Sequence, residues 1–260
     1  MNTQSNIQFV KANRLPFLET VSNTLDVLKA FPVPFLILAS IAVLPGNLLF
    51  SEPHAFKTAV NILFSSLANG AICITTYLLF LKRDTPPPPW HATLAQTLTS
   101  SFIVLTLILI IIFSTIQTYL IHYSSSSMSS HTAFFTSFAA LIGIFLMLIA
   151  CTTTIPICAI EQIDPIACFK KSFILLNGHK LQVITIIAGA MLLIAAPITL
   201  LLQSLIFKIL QVFHPLGEDQ PFSWPYTTVV ISGGILLQAF FSTLCATIYC
   251  RLSSRQETEV

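Results

Sequence analysis

Six stretches of the chain run for the length of a bilayer crossing with no Asp, Glu, Lys or Arg inside them, at about 31–50, 58–81, 101–121, 133–160, 181–207 and 226–250. A helix needs about 20 mainly apolar residues to cross the hydrocarbon core. Core helices of water-soluble domains are rarely that long and that free of charge, and six in one chain are rarer still. Lipid offers the backbone no hydrogen-bond partners, so such runs must satisfy their own and become α-helices. The composition agrees. With 55% hydrophobic residues and 8% charged ones, a soluble fold would lack the polar surface to meet water. The expected fold class is an all-α membrane protein, a single polytopic domain over residues 1–260 with six transmembrane helices.

Orientation follows from where the basic residues fall, because Lys and Arg in short loops stay on the cytoplasmic side. Lys57 and Lys208 lie after the first and fifth runs. The opposite side holds Lys11, Arg14, Lys29, Lys82, Arg83, Lys170, Lys171, Lys180, Arg251 and Arg255. Ten against two places both termini in the cytoplasm and sends "HYSSSSMSSHT" and "HPLGEDQPFSWP" outward. A mostly polar stretch precedes Phe31, unlike a cleaved signal peptide, so the first run is expected to stay in the protein. Trp90, Tyr123, Trp224, Tyr226 and Tyr249 sit near run ends, where amphipathic rings favour the membrane interface; no other role is expected of them. The expected location is the bacterial cytoplasmic (inner) membrane, crossed several times.

Each run that leaves the cytoplasm is preceded by a short segment with apolar residues at helical spacing. The first has Phe17, Val21, Leu25 and Leu28. The second, after the stiff "TPPPPW", has Trp90, Leu94, Leu98 and Phe102. The third has Ile166, Phe169, Phe173 and Leu176. Short interfacial helix, span, outer turn, span: three such hairpins account for the chain. Common ancestry and the general amphipathicity of helices approaching a membrane both explain the recurrence.

The third segment, "AIEQIDPIACFKKSFILLNGHK", concentrates charge between two apolar runs. Asp164 suits the N-cap, because its carboxylate accepts from the free amides of the first turn, and Pro165 suits the first helical position. Gly178, preceded by Asn177, suits a left-handed C-cap. A helix from Pro165 to Asn177 results, with its apolar stripe toward the headgroup boundary and Lys170 and Lys171 toward water or lipid phosphate. Each lysine beside an anionic leaflet contributes about 1 kcal/mol of attraction. Glu161, at the foot of the fourth run, is the candidate functional carboxylate. It reaches water, pairs with Lys170, Lys171 or Lys180, or has a ligand-binding or catalytic role.

The order Glu161, Pro165, Ala167, Lys170 with Lys171, Ser172, Phe173, Leu175 and Gly178 resembles a pattern of the YciC-like uncharacterised six-span bacterial inner-membrane proteins. Those are related to the membrane domain attached to some glycerophosphodiester phosphodiesterases. The resemblance is best over spans four to six and implies an integral-membrane module without an assigned reaction. The polar ends here are too short for a phosphodiesterase domain, so that activity is not expected to carry over.

Little in the runs supports chemistry. All six histidines, His54, His91, His122, His131, His179 and His214, fall in loops or near run ends, so an intramembrane Ser/His pair lacks its base. No HExxH, P-loop or dinucleotide fingerprint occurs. Neither catalytic residues nor a metal or other cofactor are expected; convergence of His54, His122, His131 and His214 on a metal is the weakest option. Cys73, Cys151, Cys158, Cys168, Cys245 and Cys250 read as small apolar residues without disulfides. What the runs do carry is uncharged polar faces. Asn61, Ser65, Asn69 and Cys73 recur every fourth residue, as do Gly234, Gln238, Ser242 and Ala246, while the fourth run adds Thr153 within "CTTTIP". Helix packing through small and hydrogen-bonding residues explains these faces, and so does a polar pathway for a solute.

The expected function is a non-enzymatic multi-pass membrane protein, in envelope maintenance or in contact with other membrane proteins. A facilitator or channel for a small or lipidic solute is the alternative, and an intramembrane enzyme a weaker one. Expected partners are the lipid bilayer, with anionic headgroups at the cytoplasmic face, and another membrane protein, but no nucleic acid.

Overall fold

The fold is seen in a computed structural model, which describes residues 15–48, 54–81, 89–125, 152–213 and 224–259. Every regular element among the described residues is a helix: α1 (Phe17–Ala30), α2 (Pro32–Leu48), α3 (His54–Leu81), α4 (Trp90–Thr97), α5 (Ser100–Ser125), α6 (152–161), α7 (Pro165–Leu175), α8 (Lys180–Ala190), α9 (Ala196–Phe213) and α10 (Trp224–Glu259). Three segments, Phe56–Phe80, Lys180–Ile209 and Thr228–Ser254, are each long and apolar enough to cross a membrane. The number rises to five when the bent pairs α1 with α2 and α4 with α5 are each counted as one span. Most of the fourth apolar run, 133–160, lies outside the described residues.

Short helices turn sharply into long ones for local reasons. The residue before a proline is steered out of the helical region. Phe31, at φ −140° and ψ 63°, therefore ends α1, Pro32 opens α2, and the two axes meet at 97°. At the second site α4 stops at Leu98. Thr99 then caps α5 by accepting from the Phe102 amide at 3.4 Å, and the bend is 74°. At the third, Asp164 Oδ2 accepts from the amides of Ile166 at 3.0 Å and Ala167 at 3.4 Å, with Pro165 in the first turn, as its sequence position predicts. Helix α7 ends at Leu175, two residues before Asn177, and Gly178 takes φ +78° in the turn that follows. Between α8 and α9 one π-helical turn, Met191–Ala195, lies just ahead of Pro197. Proline has no amide to donate and its ring crowds the carbonyl four residues back, and a widened turn is a standard way to absorb that conflict.

The core is assembled around α10, which packs against α1, α2, α3 and α9. From Ser242 to Leu252 every residue of α10 is buried, so this segment is enclosed on all sides. Phe102, Leu105, Ile157, Leu176, Ile186, Leu244 and Ile248 form the centre of the main cluster. The outer faces are inverted relative to a water-soluble bundle. Leu181, Leu192, Leu193 and Leu201 are at least 70% exposed on the Lys180–Ile209 helix. Apolar surface of that extent fits a hydrocarbon surround, which removes the penalty water would impose.

The short helices carry the same inversion, and here the sequence expectation needs correcting. Periodicity placed the apolar stripes outward as complete units, but the faces turned to the protein are rich in hydroxyls. Thr20, Asn23 and Thr24 are buried in α1, Thr93 and Thr97 in α4, and Ser172 in α7. These threonines donate to carbonyls three or four residues back on their own helices, at 2.7–2.9 Å, so their burial leaves no hydroxyl unsatisfied. Of the expected outward stripes, Leu98, Ile166 and Phe173 are exposed, whereas Val21 and Phe102 are buried and Phe17, Leu25, Leu28, Trp90 and Leu94 pack against the cores; Leu18, off the stripe, is exposed instead. Leu176, expected on the outward stripe, is instead 1% exposed and part of the main cluster; its amide keeps the helical bond to the Ser172 carbonyl at 3.0 Å, so it continues the buried face of Cys168, Ser172 and Leu175. Phe169 is partly buried against that cluster. The outward face of α7 is therefore Ile166, Lys170, Phe173 and Ile174.

Candidate functional site

At the foot of α6 the chain must leave the helix within a few residues to start α7. Gln162 does this by adopting φ +54°, while its amide still bonds to the Cys158 carbonyl at 3.1 Å. This backbone reversal brings α7 back beside α6 and aims Glu161 at two donors. Lys171 Nζ donates to Oε2 at 2.6 Å, and the hydroxyl of Tyr249, on α10, donates to Oε1 at 2.6 Å. One carboxylate thus ties three helices. Glu161 is 20% exposed and Lys171 40%, so water screens the ion pair and its net value is about 1 kcal/mol or less. About two turns up α6 from Glu161, the hydroxyls of Thr153 and Ser172 hydrogen-bond each other in the buried α6–α7 contact.

A second ion pair lies two residues further along α10. Arg251 Nη2 donates to Glu19 Oε1 of α1 at 2.6 Å. Arg251 is 9% exposed and Glu19 31%. Burial of a guanidinium without a counter-charge is costly, so Glu19 is what allows α10 to carry this arginine into the α1 contact. Arg251 Nε has no partner among the described residues.

Deeper in the bundle, the polar faces of α3 and α10 meet. Gln238 Nε2 donates to Asn69 Oδ1 at 2.5 Å and to Ser65 Oγ at 3.2 Å. The Ser242 hydroxyl bonds to Asn69 Oδ1 as well. A cavity of about 40 Å³ borders Asn69, Thr152 and Ser242, among others, room for about one water. Asn61 is elsewhere, with its amide lying on Gly46 of α2, where an added Cβ would come within 1.6 Å of Oδ1.

The sequence candidates therefore divide among three places. Ser65, Asn69, Gln238 and Ser242 form one network; Asn61 lies in the α2–α3 contact; Thr153 joins Ser172 in the α6–α7 contact. Of the α7 candidates, Lys170 is exposed, Lys171 is committed to Glu161, and Ser172 is 0% exposed. Tyr249 needs a second correction. Expected only as an interface anchor, it is 3% exposed and is the second donor to Glu161, with its ring centroid 6.4 Å from that of Tyr77. Glu19 and Arg251 were not singled out by motif. The available signal was charge bookkeeping: two carboxylates in a chain with few charges, Glu19 in the first turn of α1 and Glu161 at the end of α6, require donors, and α10 offers Tyr249 and Arg251. Among residues with described side chains, no three of His, Cys, Asp and Glu group as a metal site. Of the four histidines expected on the outer side, His54, His122, His131 and His214, none has a described side chain.

No protein-family model, curated protein or solved structure matches this chain. What it does must therefore be argued from the contacts themselves. They offer three kinds of chemistry: a screened carboxylate–lysine–tyrosine junction, a partly buried arginine–glutamate pair, and an uncharged hydrogen-bond network between two long apolar helices.

Proposed function

We propose that this chain is a non-enzymatic, multi-pass module of the bacterial cytoplasmic membrane, with six spans in three hairpins and both termini in the cytoplasm. Its short helices lie along the anionic cytoplasmic leaflet, and it serves envelope maintenance by holding other membrane proteins. The order of residues from Glu161 to Gly178 supports setting it beside the YciC-like proteins.

One observation carries the reading: the polar side chains of the Glu161 junction and of the α3–α10 network are engaged in holding helices together. Glu161 has both oxygens engaged by neighbouring helices, and Gln238 reaches across to Ser65 and Asn69. A general acid or base needs a carboxylate that can meet a substrate proton, and a solute pathway needs polar groups facing open space. The space beside Asn69 and Ser242 holds about one water, which favours packing over passage.

Reconstitution in liposomes tests this. The purified chain should turn over neither phospholipids nor membrane peptides, and the Glu161→Ala variant should differ from it in stability alone. Turnover of a lipid or peptide that disappears in Glu161→Ala would overturn the proposal.

A further inference from the structure

We infer that the outer face of α2 is a binding groove for one acyl chain of an anionic phospholipid of the cytoplasmic leaflet, with the lipid phosphate at Lys29. The inference rests on the membrane reading above and adds a ligand and a site to it.

Helix α2 has two apolar faces. Phe35, Leu38, Ala39, Ala42 and Gly46 are buried in the bundle, and none of the described helices lies over the opposite stripe, where Val33 is 63% and Leu36 39% exposed. With Phe64 of α3, that stripe lines an open groove of about 540 Å³ that includes Val33, Leu36, Ile37, Ser40 and Leu44. The one hydroxyl in it, on Ser40, is satisfied by the Leu36 carbonyl of its own helix at 2.7 Å, so the side chains of the wall present no unmet polar group; Pro45, which has no amide, deprives the Ile41 carbonyl of its usual helical donor. The groove runs from Val33 to Pro45, about 18 Å of helix at 1.5 Å per residue. That is close to half of a hydrocarbon core about 30 Å thick, the depth of a single leaflet.

Its end is marked by charge. Helix α1 meets α2 at 97°, and Lys29 stands in the last turn of α1, at the corner where the groove begins. Lys29 is exposed and has no ion pair among the described residues. A leaflet-long apolar channel with an ammonium at its cytoplasmic mouth is complementary to an anionic headgroup carrying a chain. A partner helix would need apolar contact over both leaflets, about twice the length of this groove.

The test is native mass spectrometry of the whole chain released from nanodiscs of phosphatidylethanolamine and phosphatidylglycerol. The wild-type chain should retain one phosphatidylglycerol adduct. Ser40→Trp, which fills the groove from a partly exposed position, should lower adduct occupancy by roughly tenfold or more. Ile37→Phe, a smaller intrusion, should give an intermediate loss in a chain that melts like wild type. Lys29→Glu should abolish the preference for phosphatidylglycerol, while Lys57→Ala should leave it intact. Equal adducts in wild type and both groove variants would overturn the inference, as would a dimer, or a stoichiometric complex with another membrane protein, that Ser40→Trp dissociates. The membrane reading fails separately: an alkaline carbonate wash that strips the chain from vesicles overturns that reading, whereas a chain that stays embedded without an adduct overturns the groove alone.

Discussion

Gln162 is the one described non-glycine residue with a left-handed backbone, at φ +54°. An L-residue there sets its Cβ against the following carbonyl at a cost of about 1–2 kcal/mol, which glycine escapes. Gln162→Gly should therefore stabilise the protein by a few tenths to about 1 kcal/mol, the gain reduced by glycine's greater freedom when unfolded. Thermal melting in detergent would show it as a rise of a few degrees at most, and an unchanged or lower midpoint would mean that the Gln162 side chain compensates for its backbone. The residue beside it makes the stronger contacts. In a double-mutant cycle of Glu161→Gln and Tyr249→Phe, a coupling of about 1 kcal/mol is expected, since the hydrogen bond is charge-assisted but partly solvated. Added salt should weaken the Glu161–Lys171 coupling and leave the tyrosine coupling nearly constant, because screening acts on the pair of full charges. The sequence shows a carboxylate at a span foot and lysines within reach. It hides Tyr249, because the partner lies 88 positions away on another helix, a separation that local periodicity does not encode.

Among the elements, the α2–α3 crossing depends on one glycine. A Cβ on Gly46 would overlap Asn61 Oδ1 at 1.6 Å and Cγ at 2.0 Å, so this close approach excludes any larger residue while Asn61 keeps its position. Gly46→Ala should cost about 1–3 kcal/mol, the usual range for overpacking, and Gly46→Ala with Asn61→Ala should recover most of it. Equal instability in the single and double variants, read from melting midpoints, would show that backbone rather than the Asn61 amide sets the approach. The recurrence of polar residues every fourth position made this face visible in sequence as a packing or pathway surface. That one face splits between two neighbours was not visible: Asn61 meets α2, while Ser65 and Asn69 meet Gln238 of α10. The split follows from geometry, since a helix as long as α3 is crossed by different partners at different heights. The buried hydroxyls of α1 and α4 were missed for a related reason. Hydropathy scores threonine as neutral, yet a threonine that donates to its own helix can face the protein interior while leucine faces outward. Capping was easier to read, because Asp164, Pro165 and Gly178 act within a few residues of themselves.

For the whole molecule, the proposed orientation makes Lys57 and Lys170 a decisive pair, because an odd number of spans separates them. Lys57 follows the first span and Lys170 the fourth, so three crossings lie between: the second, third and fourth. Two of these coincide with helices of sufficient length and apolarity, Phe56–Phe80 and α5 joined to α4; the third is the run at 133–160, which the basic-residue count requires for the C-terminal half to keep its sidedness. Lys57→Cys should therefore react with a membrane-impermeant maleimide from the periplasmic side, and Lys170→Cys only in inverted vesicles. Cys73, Cys158, Cys168, Cys245 and Cys250 are buried, so a Cys151→Ser background, which removes the sixth thiol, should label little on its own. Reaction of both engineered thiols from one side would remove a crossing between them and, with it, the three-hairpin arrangement. Opposite-side reaction with Lys170 outside would keep the crossings and invert the protein, moving Lys29, Lys170 and Lys180 away from the anionic leaflet. The same labelling thus separates the count of spans from their direction, which hydropathy and loop charge address independently: the first through the cost of exposing backbone and charge to lipid, the second through the side on which basic loops are retained.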